Sequence, residues 1–269
     1  MFRKVRSTLY ICSATVGLML ASGAAPSTAF AAVTFDPVTD ELAAPTVIDD
    51  FTEDLSKWTT SGSVSIQSSS DSLQVGDPSA GSAILREDYR IPLPEIGEIL
   101  IVEASIRGRA HLGGQSVILS NGDGVSGAMI RASTGDEYDA RPAADSTADN
   151  LRTTTEDYVF GDPDTLRFVF DNVNGDRVVS LYVKKYGDTT YTQLEWDANL
   201  GTSSGPVTQA NAWSSTDPLW VEYLTTGGTR MLRSEYVQYE IIPEPASLAL
   251  MGAGGLLLLS SRRFRKRVA

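Results

Sequence analysis

The chain has 269 residues and a formal net charge of −12, from 34 acidic and 22 basic side chains. This balance argues against a nucleic-acid-binding protein, which needs a cationic face. With one histidine and one cysteine in the whole chain, multi-histidine zinc sites and a disulfide framework are also excluded.

The N-terminus has the order of a secretory signal peptide. Three basic residues within positions 3–6 precede an apolar stretch at 9–21, and Ala29 and Ala31 place small side chains where a signal peptidase reads them. We expect cleavage before Ala32. The alternative, an uncleaved membrane anchor, is disfavoured because the apolar stretch is shorter than the ~20 residues of a full span. The only cysteine leaves with this signal, so the exported chain has no disulfide.

The exported region is more acidic than the whole chain. Residues 32–242 hold 14 lysines and arginines against 33 aspartates and glutamates, a net charge of −19. This charge argues against binding to anionic lipid headgroups and fits a solvated extracellular domain. Residues 32–45 have no strong period and are predicted to be a leader arm. Residues 46–242 are long enough for a single domain with one core.

After the arm come short segments rich in β-branched and aromatic residues, bounded by Gly, Asn, Asp and Ser. No part of 46–242 has helical periodicity over three turns, so we predict an all-β sandwich of about ten to twelve strands in two sheets. The predicted strands are 64–67, 72–76, 83–91, 99–107, 116–120, 128–132, 165–171, 177–186, 191–196, 219–225 and 231–242.

A hairpin is predicted in the middle of the domain. Leu166, Phe168 and Phe170 alternate with Arg167, which places the apolar side chains on one face of a strand. The following strand alternates in the same way. The link between the two contains Asn174-Gly175, a pair suited to the positive φ values of tight turns.

Two polar turns raise the question of calcium. The order of Asp and Asn differs from that of an EF-hand loop both in the hairpin link and at 121–124. Asp and Asn are also the residue types that turns use. We therefore favour turns at both places. The residues concerned are Asp171, Asn172, Asn174 and Asp176 in the link, and Asn121-Gly122-Asp123-Gly124.

Residues 133–158 are polar and acidic, and we predict a long loop there. A solvated, disordered insertion is the favoured interpretation. The alternative is a functional loop in which Asp136, Tyr138 and Arg141 contact a sugar or an ion.

Five aromatic residues occur in the later half of the domain and could stack on sugar rings if they were exposed. Large aromatic side chains in β-sandwiches more often belong to the core, so that interpretation is favoured. These residues are Tyr191, Trp196, Trp213, Trp220 and Tyr223.

Three stretches carry a resemblance to a known fold: "VIDDFTEDLSKWTTSGSVSIQ" with Phe51 and Trp58, "LRFVFDNVNGDRVVSLYVKKYG", and "RSEYVQYEI" at the end. Over most of 46–242 the chain resembles the concanavalin A-like lectin and glucanase jelly rolls. The resemblance implies a jelly-roll sandwich with the last strand near the first. An immunoglobulin-like or another jelly-roll sandwich is the alternative.

The glucanases of this class typically carry Glu-x-Asp-x-x-Glu on one strand, because retaining hydrolysis needs two carboxyl groups about 5 Å apart. In "LEWDANL" Glu195 and Asp197 match, but Leu200 stands where the second glutamate should be. We interpret Glu195 and Asp197 as a solvated strand edge beside Trp196, with a binding role left open.

His111 is the only possible histidine general base. Its surroundings, "RGRAHLGGQSV", contain no Gly-x-Ser-x-Gly elbow, and a structural or surface histidine is favoured. The chain also lacks a Gly-rich loop followed by Lys and a helix. We therefore predict no catalytic residue, no metal site and no cofactor, with calcium left open, and we predict that the protein is not an enzyme.

The C-terminal residues 243–269 have three parts. Pro243, Glu244 and Pro245 form a stiff hinge that ends strand pairing, and 246–261 form an apolar run without charge. At about 16 residues this run is short for a membrane-spanning helix and needs local thinning or snorkelling. By the positive-inside rule the basic tail 262–269 stays in the cytoplasm. Its cationic residues are Arg262, Arg263, Arg265, Lys266 and Arg267.

This order of motif, short hydrophobic helix and arginine-rich end resembles the PEP-CTERM sorting domain. The resemblance implies export by a Gram-negative bacterium that makes an exopolysaccharide, and processing by an exosortase, an integral-membrane cysteine transpeptidase. Pro243, Glu244 and Pro245 would then be the recognised substrate motif. The alternative is an ordinary tail anchor in which Pro-Glu-Pro is accidental.

The sequence thus predicts an exported, non-enzymatic surface or extracellular-matrix protein associated with exopolysaccharide. The alternatives are a lectin-like carbohydrate-binding module, with or without calcium, and, below it, a glycan hydrolase. Its expected partners are signal peptidase, the exosortase, the inner membrane during export and exopolysaccharide. We expect transient anchoring in the inner membrane, followed by the cell surface, the outer membrane or the matrix.

Overall fold

The structure, a computed structural model, describes residues 35–109, 114–121, 127–132, 137–141, 152–157, 159, 161–197, 205–213, 217–226 and 231–243. The chain divides into a unit of Met1–Val33 and a unit of Thr34–Ala269. The described residues, all in the second unit, form nineteen β-strands and one 3-10 turn at Glu87–Tyr89. The prediction of an all-β domain is confirmed, although the number of strands is higher than predicted because several are very short.

The described strands form two antiparallel sheets, and their bounds are β1 (Thr46–Asp49), β2 (Trp58–Gly62), β3 (Val64–Gln67), β4 (Ser72–Gly76), β5 (Gly81–Leu85), β6 (Glu98–Arg109), β7 (Gln115–Ser120), β8 (Gly127–Ala132), β9 (Glu137–Arg141), β10 (Arg152–Asp157), β11 (Asp164–Asp171), β12 (Val178–Lys184), β13 (Thr192–Gln193), β14 (Glu195–Trp196), β15 (Gly205–Pro206), β16 (Thr208–Gln209), β17 (Trp220–Thr225), β18 (Met231–Ser234) and β19 (Val237–Pro243).

The first sheet has ten strands in the order β13-β12-β11-β6-β18-β4-β3, with β16 on β12, β19 on β6 and β1 on β19. The second sheet has nine strands in the order β15-β14-β10-β9-β8-β7-β17-β5-β2. β1 pairs with β19 through Thr46 and Tyr239, so the terminal strand lies beside the first, as the resemblance implied.

Period-two alternation builds the core between the sheets. Leu166, Phe168 and Phe170 of β11 are fully buried in one cluster with Val117 and Leu119 of β7, which belongs to the other sheet. Each such side chain contributes about 1.5–3 kcal/mol by leaving water. The chain has no disulfide to replace this core, so apolar burial carries the stability of the domain.

The predicted hairpin is confirmed. β11 and β12 pair antiparallel from Thr165 opposite Lys184 to Asp171 opposite Val178. In the link, Gly175 has a φ of +81°, which only glycine adopts without strain. The Asp171 carboxylate accepts the Val173 amide proton at 2.9 Å, so this side chain serves the turn, as predicted.

The predicted loop at 133–158 is wrong in its described parts, because β9 and β10 lie there and pair with each other. Tyr138 and Ala140 are fully buried in the core, whereas Glu137 and Arg141 are partly exposed on the other face. The strands are polar because their outer face is charged, and this concealed the alternation. A disordered insertion is therefore excluded for 137–141 and 152–157.

Several predicted strands have different bounds, and the one predicted at 191–196 is divided into β13 and β14. The strand predicted at 83–91 ends at Leu85, and Ile91 makes an isolated bridge with Leu219 after the 3-10 turn. The strand predicted at 231–242 is divided into β18 and β19, because the Ser105 hydroxyl accepts the amide proton of Glu235 at the break.

The described part of the leader arm packs against the outer face of the ten-stranded sheet. Val38 contacts a small cluster of Val169, Tyr182 and Tyr191 on that face. Arg167, on the same face, is fully buried. The alternation correctly placed Arg167 opposite the core, but a third layer of structure covers it.

Candidate functional site

The outer face of the nine-stranded sheet carries a stripe of partly exposed side chains on β17. Val221 and Tyr223 point into the core and are fully buried, so the alternate residues Trp220, Glu222 and Leu224 point outward. All three are partly exposed. Sequence alternation alone shows that Trp220 and Glu222 share a face, but not which face is outward.

Arg90 lies against this stripe. The bridge between Ile91 and Leu219 aligns the two chain segments and brings Arg90 beside Trp220. The Arg90 Cζ atom is 5.2 Å from the centroid of a Trp220 ring, within cation–π range. The Arg90 Nε atom is buried without a hydrogen-bond partner, so a donor beside Trp220 is unsatisfied.

Glu222 occupies an apolar part of the sheet. Its neighbours in register are Ile84 on β5 and Ile118 on β7. Partial burial among these side chains raises the pKa of Glu222 above its ordinary value, because desolvation disfavours the charged form. Among the described residues nothing donates a hydrogen bond to Glu222 or forms an ion pair with it.

Together, Arg90, Trp220 and Glu222, which we name the Trp220 site, offer three complementary groups. Arg90 offers guanidinium donors, Glu222 is a carboxylate without a donor among the described residues, and Trp220 is an aromatic surface in contact with Arg90 and on the same strand face as Glu222. Burial is the cause of the raised pKa of Glu222. A ligand that both donates and accepts hydrogen bonds beside an apolar face suits this set of groups.

A second polar area lies at the β9–β10–β14 end of the same sheet. Arg131 donates to Asp139 at 3.1 Å, and Thr153 donates to the other oxygen of Asp139 at 3.1 Å. Burial, followed by the charges of Asp197, Asp157 and Asp139, raises the pKa of Glu137. Glu195 is exposed on β14 and pairs in register with Pro206. Glu195 is exposed, as predicted, but β14 lies between β15 and β10 and is not at the edge of its sheet.

The acidic loop after β1 uses its carboxylates to hold its own shape. Asp49 is buried and accepts the Trp58 indole proton at 2.7 Å and the Phe51 amide proton at 2.9 Å. Asp54 accepts the Ser56 amide proton at 2.8 Å. A surface depression is lined by these acidic residues and Lys57. Within the described residues no three carboxylate, histidine or cysteine side chains are grouped to hold a metal ion.

Three of the five predicted aromatic candidates are core residues. Tyr191 and Trp213 are 3% exposed and Tyr223 is fully buried. Trp196 and Trp220 are partly exposed and also pack against the core. Of the five, Trp220 is the one that contacts Arg90 and shares its strand face with Glu222. Sequence analysis did not identify Arg90 or Glu222, since nothing in the local pattern distinguishes them from other surface charges.

The predicted loop residues have different surroundings. Tyr138 is fully buried and donates its hydroxyl proton to Asp164 at 2.6 Å. A contact between Tyr138 and a sugar is therefore excluded in this fold. Arg141 is partly exposed on the outer face of β9. Asp136 and His111 lie outside the described residues.

The predicted processing and sorting residues also lie mostly outside the described part of the chain. Pro243 is the last described residue, and it pairs with Glu98 as the end of β19. Ala29, Ala31, Glu244, Pro245, Arg262, Arg263, Arg265, Lys266 and Arg267 lie outside it. The apolar run 246–261 does too. No helix within the described residues is long and apolar enough to cross a membrane.

Comparison with protein families identifies a sorting signal. Residues 242–266 match the PEP-CTERM protein-sorting motif. The match confirms the resemblance found in the sequence. It implies exosortase-dependent export and a membrane-anchored C-terminal sorting signal. No curated protein matches the chain.

Comparison with solved structures identifies the fold of the domain. The Lotus tetragonolobus seed lectin has a TM-score of 0.50 at 8% identity, with 75% of this chain and 99% of that chain covered. The winged bean acidic lectin complexed with methyl-α-D-galactose has a TM-score of 0.50 at 10% identity, with 73% and 97% covered. At such identities the likeness shows a lectin-like β-sandwich, which confirms the predicted fold class.

Proposed function

We propose that this protein is an exported, non-enzymatic surface protein whose β-sandwich binds a neutral glycan at the Trp220 site. The observation that carries the proposal is a partly exposed Trp220 that has the Arg90 guanidinium against its ring and shares its strand face with Glu222, a carboxylate without a donor among the described residues. A sugar ring has hydroxyls that donate to a carboxylate and accept from a guanidinium, and a C–H face that packs on an aromatic ring.

The preference for a neutral glycan follows from charge. The exported region 32–242 has a net charge of −19, which repels anionic polymers and makes exopolysaccharide a partner only if its repeat is largely uncharged. The winged bean lectin was solved with methyl-α-D-galactose, and this sugar is a sensible first member of a test panel.

The proposal of a non-enzymatic role rests on the site having a single carboxylate, that of Glu222. Hydrolysis with retention needs two carboxyl groups about 5 Å apart. The residues opposite Glu222 on the two adjacent strands are Ile84 and Ile118, so no carboxylate stands directly beside Glu222 in the sheet. Binding and display are the roles that a single carboxylate supports.

The test is affinity electrophoresis of the full-length protein, purified after export, through gels containing a neutral glucan, galactan or mannan, or the exopolysaccharide of the producing organism. We expect retardation by a neutral polysaccharide. In Glu222→Gln the apparent affinity should fall about tenfold, because a charge-assisted hydrogen bond is worth ~1.5–3 kcal/mol.

Glu195→Gln is the matched control, because Glu195 is an exposed glutamate at the other end of the same sheet. It should leave retardation unchanged. The proposal is wrong if no polysaccharide retards the protein, or if Glu222→Gln and Glu195→Gln behave alike. Release of new reducing ends during incubation would contradict the non-enzymatic role.

A further inference from the structure

The last strand of the domain runs directly into the sorting signal. β19 ends at Pro243, which pairs in register with Glu98 at the start of β6. The sorting-motif match covers 242–266, so pairing within the sheet extends to the first residue of Pro-Glu-Pro. Only two residues then separate Pro243 from the apolar run 246–261. This run belongs to the signal that the match implies is anchored in the membrane.

So short a connection brings the domain close to the bilayer. From Pro243 to Ala246 the chain reaches at most about 11 Å, even when fully extended. The headgroup region on each side of the hydrocarbon core is about 5–8 Å thick. While the signal is anchored, the end of the sheet where β19 leaves therefore lies at or just above the headgroups. Any side chain that projects beyond that end meets lipid.

Residues 95–98, which we name the exit turn, project beyond this end, because β6 begins where its antiparallel partner β19 ends. The Glu98 amide donates to the Glu95 carbonyl at 3.2 Å. Gly97 has a φ of +90°, as the third position of a type II turn requires. Ile96 therefore occupies the tip of the turn. Two residues of chain and one inter-strand spacing place it within about 12 Å of Pro243.

The exit turn is held in place by the neighbouring β11–β12 turn. The Gly97 amide donates to the Asn172 carbonyl at 3.1 Å, and the Asn172 amide donates to the Glu98 carbonyl at 3.0 Å. The Asn172 side chain donates to the Pro94 carbonyl at 2.9 Å. Among the large apolar side chains of the described residues, Ile96 is the most exposed, at 77%. A single exposed isoleucine is ordinary on a protein surface, but Ile96 is rigidly displayed where the chain enters the membrane.

We infer that Ile96 inserts into the headgroup region of the membrane that holds the sorting signal, and that the exit turn thereby fixes the orientation of the domain until the signal is processed. The bilayer is the partner because the chain itself brings it within reach of the turn, whereas a second protein would have to enter beneath the domain.

Charge sets the depth of this contact and the kind of lipid. Glu95 is exposed beside Ile96, and its carboxylate has to stay hydrated, so the insertion is shallow. The acidic domain is not attracted to anionic headgroups, and the bilayer it fits is therefore one of zwitterionic lipids. Held in this way, Pro-Glu-Pro stands at the membrane surface, within reach of an integral-membrane processing enzyme.

The test uses the exported chain with its sorting signal retained, made in a host without an exosortase and reconstituted in phosphatidylcholine vesicles. The only cysteine is lost with the signal peptide, so Ile96→Cys provides a single site for a fluorophore. Quenching by lipids with a spin label near the headgroup measures contact with the bilayer. The matched control is Tyr186→Cys. Tyr186 is 65% exposed, and its amide is bonded to Asp164 at the opposite end of β11, about 20 Å away.

We expect the label at 96 to be quenched at least about threefold more strongly than the label at 186, because the two sites differ in height by more than the thickness of the headgroup region. Inserting ten Gly and Ser residues after Pro245 should bring the two values together, since such a linker spans roughly 17–19 Å. Equal quenching in the chain without the insertion overturns the proposal. Quenching at 96 that survives the insertion contradicts the argument from the short connection.

The isoleucine side chain itself is tested with a label on the neighbouring turn, at Asn174→Cys, because Asn174 is exposed. Adding Ile96→Ser should reduce quenching at 174 by about half or more, since the apolar contact is lost, whereas Tyr186→Ser should leave it unchanged. Equal effects of the two substitutions overturn the role of Ile96. If the label at 96 is not quenched and Ile96→Ser instead slows processing by the exosortase, the turn contacts the enzyme and the proposal is wrong. Glycan binding plays no part in these readouts, so the test is independent of the proposed function.

Discussion

Replacing Arg167 by methionine is expected to be among the most damaging substitutions on the outer faces of the sandwich. The side chain is fully buried and donates to Glu103 and to the carbonyls of Pro37 and Asp40. Its removal leaves Glu103, 2% exposed, as a buried carboxylate without a cation. Breaking a buried pair by removing one partner costs about 3–5 kcal/mol. For a domain of this size, 1 kcal/mol shifts Tm by about 2–4 °C, so Tm should fall by roughly 6–20 °C.

The assay is reversible urea unfolding of the full-length exported chain, followed by tryptophan fluorescence, with limited proteolysis of the arm as a second readout. The control is the double variant Arg167→Met with Glu103→Met, which removes both charges. It should recover a large part of the loss, because an apolar pair of similar volume replaces the ion pair. A loss under 1 kcal/mol in the single variant, or strict additivity in the double, would refute the assignment of a coupled buried pair.

Three further changes test other parts of the structure. Glu222→Gln should raise Tm at pH 7 and remove part of the stability that the wild type gains as pH falls. The folded-state pKa of Glu222 lies above its unfolded value, so the charged carboxylate destabilises the fold above the folded pKa, and this cost is lost on acidification. An unchanged pH–Tm profile would contradict this. Gly175→Ala should lower the free energy of unfolding by about 1 kcal/mol through its positive φ alone. Gly127→Ala should lower it clearly more, since a Cβ there also overlaps a backbone carbonyl. Equal losses in urea titrations would be the contrary result. Asp49→Ala should lose about 2–3 kcal/mol in the same titrations, because it leaves the buried Trp58 indole without its acceptor; a loss within ±0.5 kcal/mol would show that the bond is dispensable.

Much of the sandwich could be predicted from the sequence because its strands alternate apolar and polar residues. β3 and β4 have the predicted bounds, and the hairpin around Asn174-Gly175 was recognised from turn chemistry. β9 was missed because charged residues occupy its outer face, which leaves Tyr138 and Ala140 as the main apolar signals. Two apolar positions in five residues are too few for period-two analysis to separate a strand from a polar loop.

The candidate site was only partly predictable. The alternation in β17 places Trp220 and Glu222 on one face, but whether that face is the core depends on the partner sheet. The contact of Arg90 depends on the bridge between Ile91 and Leu219, which joins segments more than a hundred residues apart. Arg167 illustrates the same limit, because its burial comes from an arm that shares no local pattern with β11.

The two outer faces of the sandwich differ in how far their shielded polar groups are hydrogen-bonded within the protein. This difference supports the Trp220 site as a ligand site. On the ten-stranded sheet the buried Arg167 donates hydrogen bonds to Glu103 and to the carbonyls of Pro37 and Asp40. On the nine-stranded sheet Arg90 keeps a buried Nε without a partner, and Glu222 is desolvated without a donor. A polar group that is shielded from water and lacks a partner costs stability. A hydrogen-bonding ligand at the Trp220 site would therefore offset a loss of stability that the folded protein has without it.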